Sequence, residues 1–247
     1  MKVVILAGGL GTRLSEYTHR IPKPLVEVGG KPIILHIIEI YQKFNFNEFI
    51  IATGYKGNLF EEYFKKNGKL LDSSNGAQSF DLNGSKVSLI ETGLNTLTGG
   101  RLKRLTPYLE NQTFLLTYGD GLSNVNITNL IEFHKRNQAT VTVTAVHPIA
   151  RFGELELTND SMVSSFKEKP LLQKGWINGG FFVMESSFLN LIQGDDTILE
   201  KEPLEDIAAK GKMFAFKHEG FWYCMDTQRD KTYLDNQALK ELPWLQD

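Results

Sequence analysis

The spacing of apolar residues in the first part of the chain predicts alternating strands and helices. Val3–Leu6 and Glu48–Thr53 are short apolar runs, which are typical of buried strands. Between them, residues 32–44 carry apolar side chains at helical spacing, and residues 58–66 predict an amphipathic helix capped by Asn58. This order of strand, helix, strand and helix indicates a parallel sheet that places ligands at the carboxyl ends of its strands.

The pattern after residue 67 predicts further elements of both kinds. Residues 68–84 are polar and rich in glycine, which indicates a surface loop or flap. No composition break and no internal repeat divides the chain. The sequence therefore predicts one mixed α/β domain whose second half forms a lid or sub-domain over the site. The remaining strands are predicted at 86–91, 113–117, 140–146, 152–157, 162–166 and 213–218, and the helices at 98–104, 127–137, 205–210 and from Asp226 or Thr227 to about 242.

A glycine-rich stretch directly follows the first predicted strand. Gly8, Gly9 and Gly11 let the backbone turn sharply and expose its N–H groups, with no Cβ in the way of a ligand. Such a nest of donors suits a polyphosphate, and Arg13 adds a bidentate fork for it. Further along, Lys23 stands between two prolines, which stiffen the backbone around a mobile point charge. The stretch predicts a phosphate-binding loop with two cations, against the alternative of a plain turn from strand to helix.

Two commoner phosphate-binding loops do not match this stretch. The P-loop pattern G-x-x-x-x-G-K-[ST] does not occur after the strand. The dinucleotide fingerprint G-x-G-x-x-G, started from Gly9, has Leu14 where it needs its last glycine. Thr53 also ends the second predicted strand, where a nicotinamide enzyme would have an acidic residue. A nicotinamide-dependent oxidoreductase is therefore disfavoured.

One aspartate lies where a predicted strand ends, and a second lies at the start of the last predicted helix. Asp120 follows residues 113–117 and stands between glycines, where a carboxylate can approach a metal ion without obstruction. The alternative for Asp120 is an ordinary Asp-Gly turn. Asp226 precedes Thr227, and either residue can cap the last predicted helix. From the residues alone, both interpretations of each aspartate stay open.

Composition and charge narrow the range of partners. The 247-residue chain has a formal net charge of -2, which gives no basic field for nucleic acid. It has no apolar run near the roughly 18 residues of a membrane span, and its N-terminus lacks the organisation of a signal peptide. Its single cysteine, Cys224, cannot form an internal disulfide, which fits a reducing compartment. We therefore expect a cytoplasmic protein with no nucleic-acid and no membrane partner.

Four groups of motifs together resemble the sugar-1-phosphate nucleotidyltransferase family along nearly the whole chain. They are GGLGTR with PKP, YGDG, EKP with INGG, and FWYCMDT. The segments ETGLNTLTGGRLKR, INGGFFV and MDTQRDK are most similar to the glucose-1-phosphate cytidylyltransferase branch. The resemblance implies a Rossmann-like fold in which about residues 1–125 bind the nucleotide. About residues 126–247 would form a smaller sub-domain for the sugar phosphate, and the resemblance also implies a homo-oligomer.

The resemblance further implies a reaction and its cofactor. CTP and α-D-glucose 1-phosphate would give CDP-glucose and pyrophosphate, with Mg²⁺ bound at the site. The same chemistry with another sugar 1-phosphate, or with UTP or dTTP, stays open. So does a catalytically silent subunit that binds nucleotide sugars. Arg101 would lie near the nucleoside, and a guanidinium aimed at O2 and N3 of cytosine would favour CTP over UTP.

Each site residue takes its expected role from the same resemblance. Arg13 would contact the leaving pyrophosphate, Lys23 the α-phosphate and Lys169 the sugar phosphate. Asp120 and Asp226 would hold the Mg²⁺. The nucleotide would contact Leu6, Ala7, Gly8, Gly9, Gly11, Thr12, Arg13, Lys23, Thr96, Arg101 and Gly119. The sugar phosphate would contact Glu168, Lys169, Asn178 and Gly179.

Overall fold

A computed structural model describes residues 1–74, 76–148, 154–167 and 175–246. None of the helices in these ranges is long and apolar enough to cross a membrane.

The strands are β1 (Val3–Leu6), β2 (Glu27–Val28), β3 (Lys31–Pro32), β4 (Glu48–Thr53), β5 (Lys69–Ser74), β6 (Ala77–Leu82), β7 (Ser85–Glu91), β8 (Thr113–Tyr118), β9 (Gly121–Ser123), β10 (Val141–Val146), β11 (Glu154–Leu157), β12 (Val163–Lys167), β13 (Ile177–Asn178), β14 (Phe182–Glu185), β15 (Met213–Lys217) and β16 (Trp222–Cys224). The helices are α1 (Ser15–Thr18), α2 (Ile33–Gln42), α3 (Gly57–Asn67), α4 (Thr98–Arg104), α5 (Thr106–Leu109), α6 (Ile127–Arg136), α7 (Glu202–Ala209) and α8 (Gln228–Ala238). Short 3₁₀ turns lie at Thr12–Leu14, Lys23–Leu25, Ser186–Leu191 and Pro243–Leu245.

The central strands of the largest sheet run parallel. β1 lies between β4 and β8, so that Val3 is the register partner of both Phe49 and Leu115. β7 continues the parallel set beyond β4. Antiparallel strands extend the sheet on both sides: β6 and β5 beyond β7, and β14 and β10 beyond β8. The predicted mixed α/β fold with a mostly parallel central sheet is confirmed.

The first strand shows why helices cover both faces of this sheet. Val3 and Ile5 pack into one apolar cluster, which includes residues of α2 and α3. Val4 and Leu6 pack into a second cluster, which includes residues of α4 and α7. Because successive side chains of a strand point to opposite faces, a strand that is apolar throughout needs a covered surface on each side. The strand is therefore held in the centre of the molecule, and its carboxyl end is fixed in place.

Several loops leave the sheet together at the carboxyl ends of the parallel strands. Leu6 at the end of β1 is the register partner of Tyr118 at the end of β8. Beyond the main sheet, β16 pairs antiparallel with β9. The N–H of Met225, directly after β16, donates to the carbonyl of Asp120 at 2.9 Å. This pairing brings Asp226, the next residue, close to Asp120.

The segment predicted as a loop or flap at residues 68–84 is instead a β-hairpin, so that prediction was wrong. β5 pairs with β6, and β6 pairs with β7. Every residue of β5 is exposed, whereas Phe80 and Leu82 of β6 are buried. An exposed edge strand needs no apolar face, so the periodicity of the sequence did not reveal β5.

Some element boundaries also differ from the prediction. The expected cap at Asn58 is wrong, because α3 already begins at Gly57. α8 is capped by Thr227, whose side chain and Asp230 form a reciprocal capping box, and it ends at Ala238 rather than near residue 242. β11 and β12 confirm the two strands predicted at 152–157 and 162–166, although residues 152 and 153 lie outside the described residues.

Candidate active site

A cleft of about 360 Å³ opens at the carboxyl edge of the central strands. The loop after β1, the turn after β8 and the start of α4 form its walls. Every residue predicted to contact the nucleotide lines this cleft except Thr12, which begins the adjacent 3₁₀ turn. The lining residues are Leu6, Ala7, Gly8, Gly9, Gly11, Arg13, Lys23, Pro24, Thr96, Leu97, Thr98, Arg101, Tyr118, Gly119 and Asp120.

Two glycines of the loop are required by the shape of the cleft. A Cβ on Gly8 would lie 2.1 Å from Nη1 of Arg101, so a larger residue would collide with the buried guanidinium. Gly11 has a φ of 65° and lies in the left-handed region, which glycine enters without strain. A Cβ on Gly11 would also lie 2.8 Å from Cγ2 of Thr18. Glycine at these positions thus lets the loop pack closely against its neighbours.

The Lys23 ammonium lies between two carboxylates at the floor of the cleft. Its Nζ is 2.6 Å from Oδ2 of Asp120 and 2.7 Å from Oδ1 of Asp226. Nη1 of Arg13 is 2.7 Å from the other oxygen of Asp226. The Lys23 side chain is only 11% exposed, whereas the Arg13 side chain is 72% exposed. Water therefore screens the two lysine contacts much less than the arginine contact.

The neighbouring groups keep Lys23 positively charged. Burial by itself lowers the pKa of the ammonium, but the charge of Asp120 and the hydrogen bonds to Asp120 and Asp226 raise it above its ordinary value. Burial, followed by the Asp120 charge, raises the pKa of the Cys224 thiol. The thiol therefore stays protonated at neutral pH and does not act as a nucleophile.

Asp120 and Asp226 have the chemistry that a magnesium site needs. One oxygen from each carboxylate contacts the same cation, the Lys23 ammonium, and both side chains keep some exposure to water, 24% and 14%. Mg²⁺ takes hard oxygen ligands and usually keeps several waters. Cys224 could offer a third ligand, because the three ligand atoms lie within 4.8 Å of one another. A protonated thiol is a poor partner for Mg²⁺, so the two carboxylates fit the ion and the cysteine does not.

Arg101 is buried, and its guanidinium bonds mainly to the protein itself. Nη1 donates to the carbonyls of Thr53 and Gly93 at 3.1 and 2.7 Å, and to the hydroxyl of Thr92 at 2.8 Å. Nη2 donates to the carbonyl of Leu94 at 3.3 Å. These bonds fasten the loop before α4 to the end of β4, a role that no sequence pattern indicated. The contact of Arg101 with a nucleobase stays a prediction.

A hydrogen-bond network that includes Thr98 and Tyr118 of the cleft lining was not predicted from the sequence. The Tyr118 hydroxyl donates to Oε1 of Glu200 at 2.6 Å, and the Thr98 hydroxyl donates to Oε2 of Glu200 at 2.7 Å. Nδ2 of Asn178 in turn donates to the Tyr118 hydroxyl at 3.2 Å. Tyr118 belongs to the YGDG motif and could have been singled out. Glu200 lies 82 residues further along, in a segment without any motif.

The residues predicted to bind the sugar phosphate are only partly described. Asn178 belongs to the network just defined, and Gly179 follows it. The carbonyl of Gly179 accepts a hydrogen bond from Nε1 of Trp222 at 2.7 Å. Glu168 and Lys169 lie outside the described residues, and their roles stay predictions.

Comparison with known proteins establishes the family. The sequence model of the nucleotidyl transferase family matches residues 2–230. The chain belongs to this family. It is 44% identical over 254 aligned residues to the glucose-1-phosphate cytidylyltransferase of Salmonella typhimurium, and the alignment covers 99% of this chain and 98% of that protein. The predicted family and enzyme class, a nucleotidyltransferase similar to glucose-1-phosphate cytidylyltransferases, are therefore confirmed.

A more distant sequence relative and a solved structure are also similar to this nucleotidyltransferase. The mannose-1-phosphate guanylyltransferase catalytic subunit beta of Dictyostelium discoideum is 31% identical, over 97% of this chain and 64% of that protein. The crystal structure of HddC from Yersinia pseudotuberculosis superimposes with a TM-score of 0.73 at 25% sequence identity, covering 96% of this chain and 98% of that one. These likenesses support the Rossmann-like fold that the motifs implied.

Proposed function

We propose that this nucleotidyltransferase makes CDP-glucose and pyrophosphate from CTP and α-D-glucose 1-phosphate, with Mg²⁺ as its cofactor. The observation that carries the proposal is that the glycine loop, Lys23 and Asp120 line one cleft, and that Asp226 contacts the Lys23 ammonium at 2.7 Å. The choice of substrates is supported by the 44% identity to a glucose-1-phosphate cytidylyltransferase over 99% of this chain.

The reaction requires no nucleophile from the protein. An oxygen of the sugar phosphate, already ionised at neutral pH, attacks the α-phosphorus of CTP in line with the leaving oxygen. A new bond between phosphorus and oxygen forms as the bond to pyrophosphate breaks. The main barrier is the approach of two anions, so positioning and electrostatic stabilisation carry the catalysis.

The two cations of the cleft are suited to that task. The backbone N–H groups of residues 6–12 would hold the phosphates, and Arg13 would bind the leaving pyrophosphate. Lys23 would contact the α-phosphate and stabilise the charge that develops there. In the free protein both cations contact Asp226, so each would exchange a carboxylate for a phosphate when the nucleotide binds.

Asp120 and Asp226 are the residues that would hold Mg²⁺. When bound, the ion supplies a Lewis acid for the phosphate oxygens. The chain fixes Asp226 for this purpose through the start of α8: its backbone N–H donates to Oδ2 of Asp230 at 3.1 Å. Asp230 also accepts from the N–H of Thr227 at 2.8 Å. The capping box thus orients a ligand as well as starting a helix.

The sugar phosphate would lie across the cleft from the glycine loop. Asn178 and Gly179 would bond sugar hydroxyls, together with Glu168, and Lys169 would neutralise the sugar phosphate. We propose that about residues 1–125 serve the nucleotide and about residues 126–247 serve the sugar phosphate. The Lys23–Asp226 and Tyr118–Asn178 hydrogen bonds each link the first of these segments to the second, and they would couple nucleotide binding to sugar-phosphate binding.

A matrix of nucleotides and sugar 1-phosphates tests the proposal directly. CTP, UTP, dTTP, GTP and ATP are each paired with glucose 1-phosphate and with other sugar 1-phosphates, and pyrophosphate release is measured. We expect the highest kcat/KM for CTP with glucose 1-phosphate, and a preference for CTP over UTP of at least ~10-fold, or about 1.4 kcal/mol. A higher kcat/KM for another pair of nucleotide and sugar 1-phosphate would identify different substrates but leave the proposed reaction type unchanged. No release with any pair would indicate a nucleotide-binding subunit instead.

Arg101 is the residue that we expect to discriminate between the bases. Its guanidinium suits the O2 and N3 acceptors of cytosine and opposes the N3–H of uracil. Arg101→Ala should therefore lower the ratio of kcat/KM for CTP to that for UTP. Because Arg101 also fastens the loop before α4, the melting temperature of the variant is the necessary control. Lost activity with an unchanged ratio would assign Arg101 to the loop, a phosphate or the ribose.

A further inference from the structure

Lys23 lies where a divalent cation held by the same oxygens of Asp120 and Asp226 would bind. One oxygen of Asp120 and one of Asp226 contact its Nζ, at 2.6 and 2.7 Å. Arg13 contacts the second oxygen of Asp226 at 2.7 Å. An ion held by the same oxygens cannot share this space with the ammonium. One of the two cations has to leave before the other can bind.

Lys23 is a strong competitor for this position because it is part of the chain. Its backbone lies in the 3₁₀ turn Lys23–Leu25, which follows the extended residue Pro22, and its side chain is 11% exposed. A tethered cation that is already in place gives up little freedom when it makes these contacts. A free Mg²⁺ ion must instead shed some of its tightly held water. The tether therefore favours the ammonium over the ion in the free protein.

The formal charges of this centre also cancel. Two cations, Lys23 and Arg13, face two carboxylates, Asp120 and Asp226. Without a net negative charge, the centre attracts a divalent cation only weakly. A nucleoside triphosphate changes this balance, because its phosphates offer new anionic partners to both cations. The carboxylate oxygens then become available to a metal ion.

We propose that Lys23 keeps divalent cations away from Asp120 and Asp226 until a nucleotide binds. The site then takes the metal–nucleotide complex rather than the metal first. The identity of the nucleotide rests on the proposed function, whereas the competition between Lys23 and a cation can be measured without turnover. Lys23 thus pairs with the two carboxylates in the free protein and with a phosphate group in the nucleotide complex.

Mn²⁺ binding in the absence of nucleotide tests this competition. The free ion is measured by electron paramagnetic resonance in titrations of wild type and Lys23→Met, which removes the charge and keeps an unbranched chain. We expect the variant to bind Mn²⁺ at least ~10-fold more tightly than wild type. Lys31→Met is the matched control, because Lys31 pairs with a single carboxylate, Glu39, outside the cleft. It should bind Mn²⁺ as wild type does.

A double variant assigns the gain to this site. Asp120→Asn in the Lys23→Met background should remove the tighter binding, since one of the two carboxylates is then lost. Equal or weaker Mn²⁺ binding by folded Lys23→Met would overturn the proposal. So would a gain in affinity that survives Asp120→Asn.

Lys23→Gln provides a second route if Lys23→Met does not fold. Its amide removes the positive charge but can still donate hydrogen bonds to Asp120 and Asp226. This variant should also bind Mn²⁺ more tightly than wild type, and unchanged binding would overturn the proposal as well. Tighter Mn²⁺ binding without any pyrophosphate release in the substrate matrix would reject the proposed function but keep the competition at Lys23. If the wild type makes CDP-glucose but the Lys23 variants show no gain in Mn²⁺ affinity, the proposed function stands and the competition at Lys23 is rejected.

Discussion

The two sides of the cleft are built by different means. The loop side, residues 6–13, is continuous in sequence and follows a strand that is buried on both faces. The network side joins Thr98, Tyr118, Asn178 and Glu200 from separate segments through three side-chain hydrogen bonds. On the loop side the backbone forms much of the wall, so its shape depends on which positions lack a Cβ. On the network side the shape depends on individual side chains, so single substitutions there should adjust the site rather than remove it.

The two sides also differ in charge. The ion pairs of Arg13 and Lys23 lie at the loop side, where the reacting phosphates would bind. The network side carries one carboxylate, Glu200, and both of its oxygens accept hydrogen bonds from hydroxyls. We therefore expect substitutions near the loop to affect catalysis most, and substitutions in the network to affect it least.

The largest effect is expected from the two aspartates that face Lys23. Asp120→Asn or Asp226→Asn should each lower kcat/KM by about 1000-fold, or ~4 kcal/mol of transition-state stabilisation, because a metal ligand is lost at constant size. Turnover is measured at saturating Mg²⁺, with circular dichroism to show that each variant folds. A nucleotide complex in which Mg²⁺ contacts neither carboxylate would reject the assignment.

A somewhat smaller effect is expected from Lys23→Ala. The variant should lower kcat by about 100-fold and change the KM for CTP much less, because the contact with the α-phosphate strengthens as charge develops. Steady-state kinetics with varied CTP separate the two parameters, and Lys31→Ala serves as the control. An effect confined to KM would mean that Lys23 binds only the ground state.

Gly8→Ala probes the close packing of the loop side. The new Cβ would meet Nη1 of Arg101 at 2.1 Å, and that guanidinium cannot move aside without breaking hydrogen bonds. We expect a loss of about 2 kcal/mol in the free energy of unfolding, measured with urea. Gly9→Ala is the matched control, because its Cβ would meet nothing within 4 Å. Equal losses in the two variants would show that contact with Arg101 does not limit this position.

The smallest effect is expected on the network side. Glu200→Ala removes the acceptor of two hydroxyls and should lower kcat/KM by about 3- to 10-fold through misplacement of Tyr118 and Thr98. Glu200→Gln keeps one carbonyl oxygen and should restore part of the activity. Glu202→Ala, a change at an exposed carboxylate in the first turn of α7, is the control. A loss as large as that of Asp120→Asn would contradict the contrast between the two sides.

Much of the fold followed from the sequence because burial leaves a periodic pattern. A strand with apolar residues at every position, such as β1, has to be covered on both faces, and α2 shows its apolar positions at helical spacing. The hairpin of β5 and β6 was not predicted from the sequence, because β5 is exposed throughout and carries no such pattern. Sequence periodicity therefore reported many of the elements that bury a face, but it missed both the exposed edge strand β5 and its partner β6, whose Phe80 and Leu82 are buried.

The sequence by itself determined the local chemistry of the site: the glycine loop, its two cations, one aspartate at the end of a strand and one at the start of a helix. These features depend on neighbouring residues and on the conformations that glycine and proline allow. Only the tertiary structure decided which charges meet. Lys23 contacts carboxylates 97 and 203 residues away, Arg101 fastens a loop, and Glu200 accepts hydrogen bonds from the hydroxyls of Thr98 and Tyr118. Contacts at such separations depend on the pairing of β16 with β9 and of β8 with β1, which no local pattern of residues encodes.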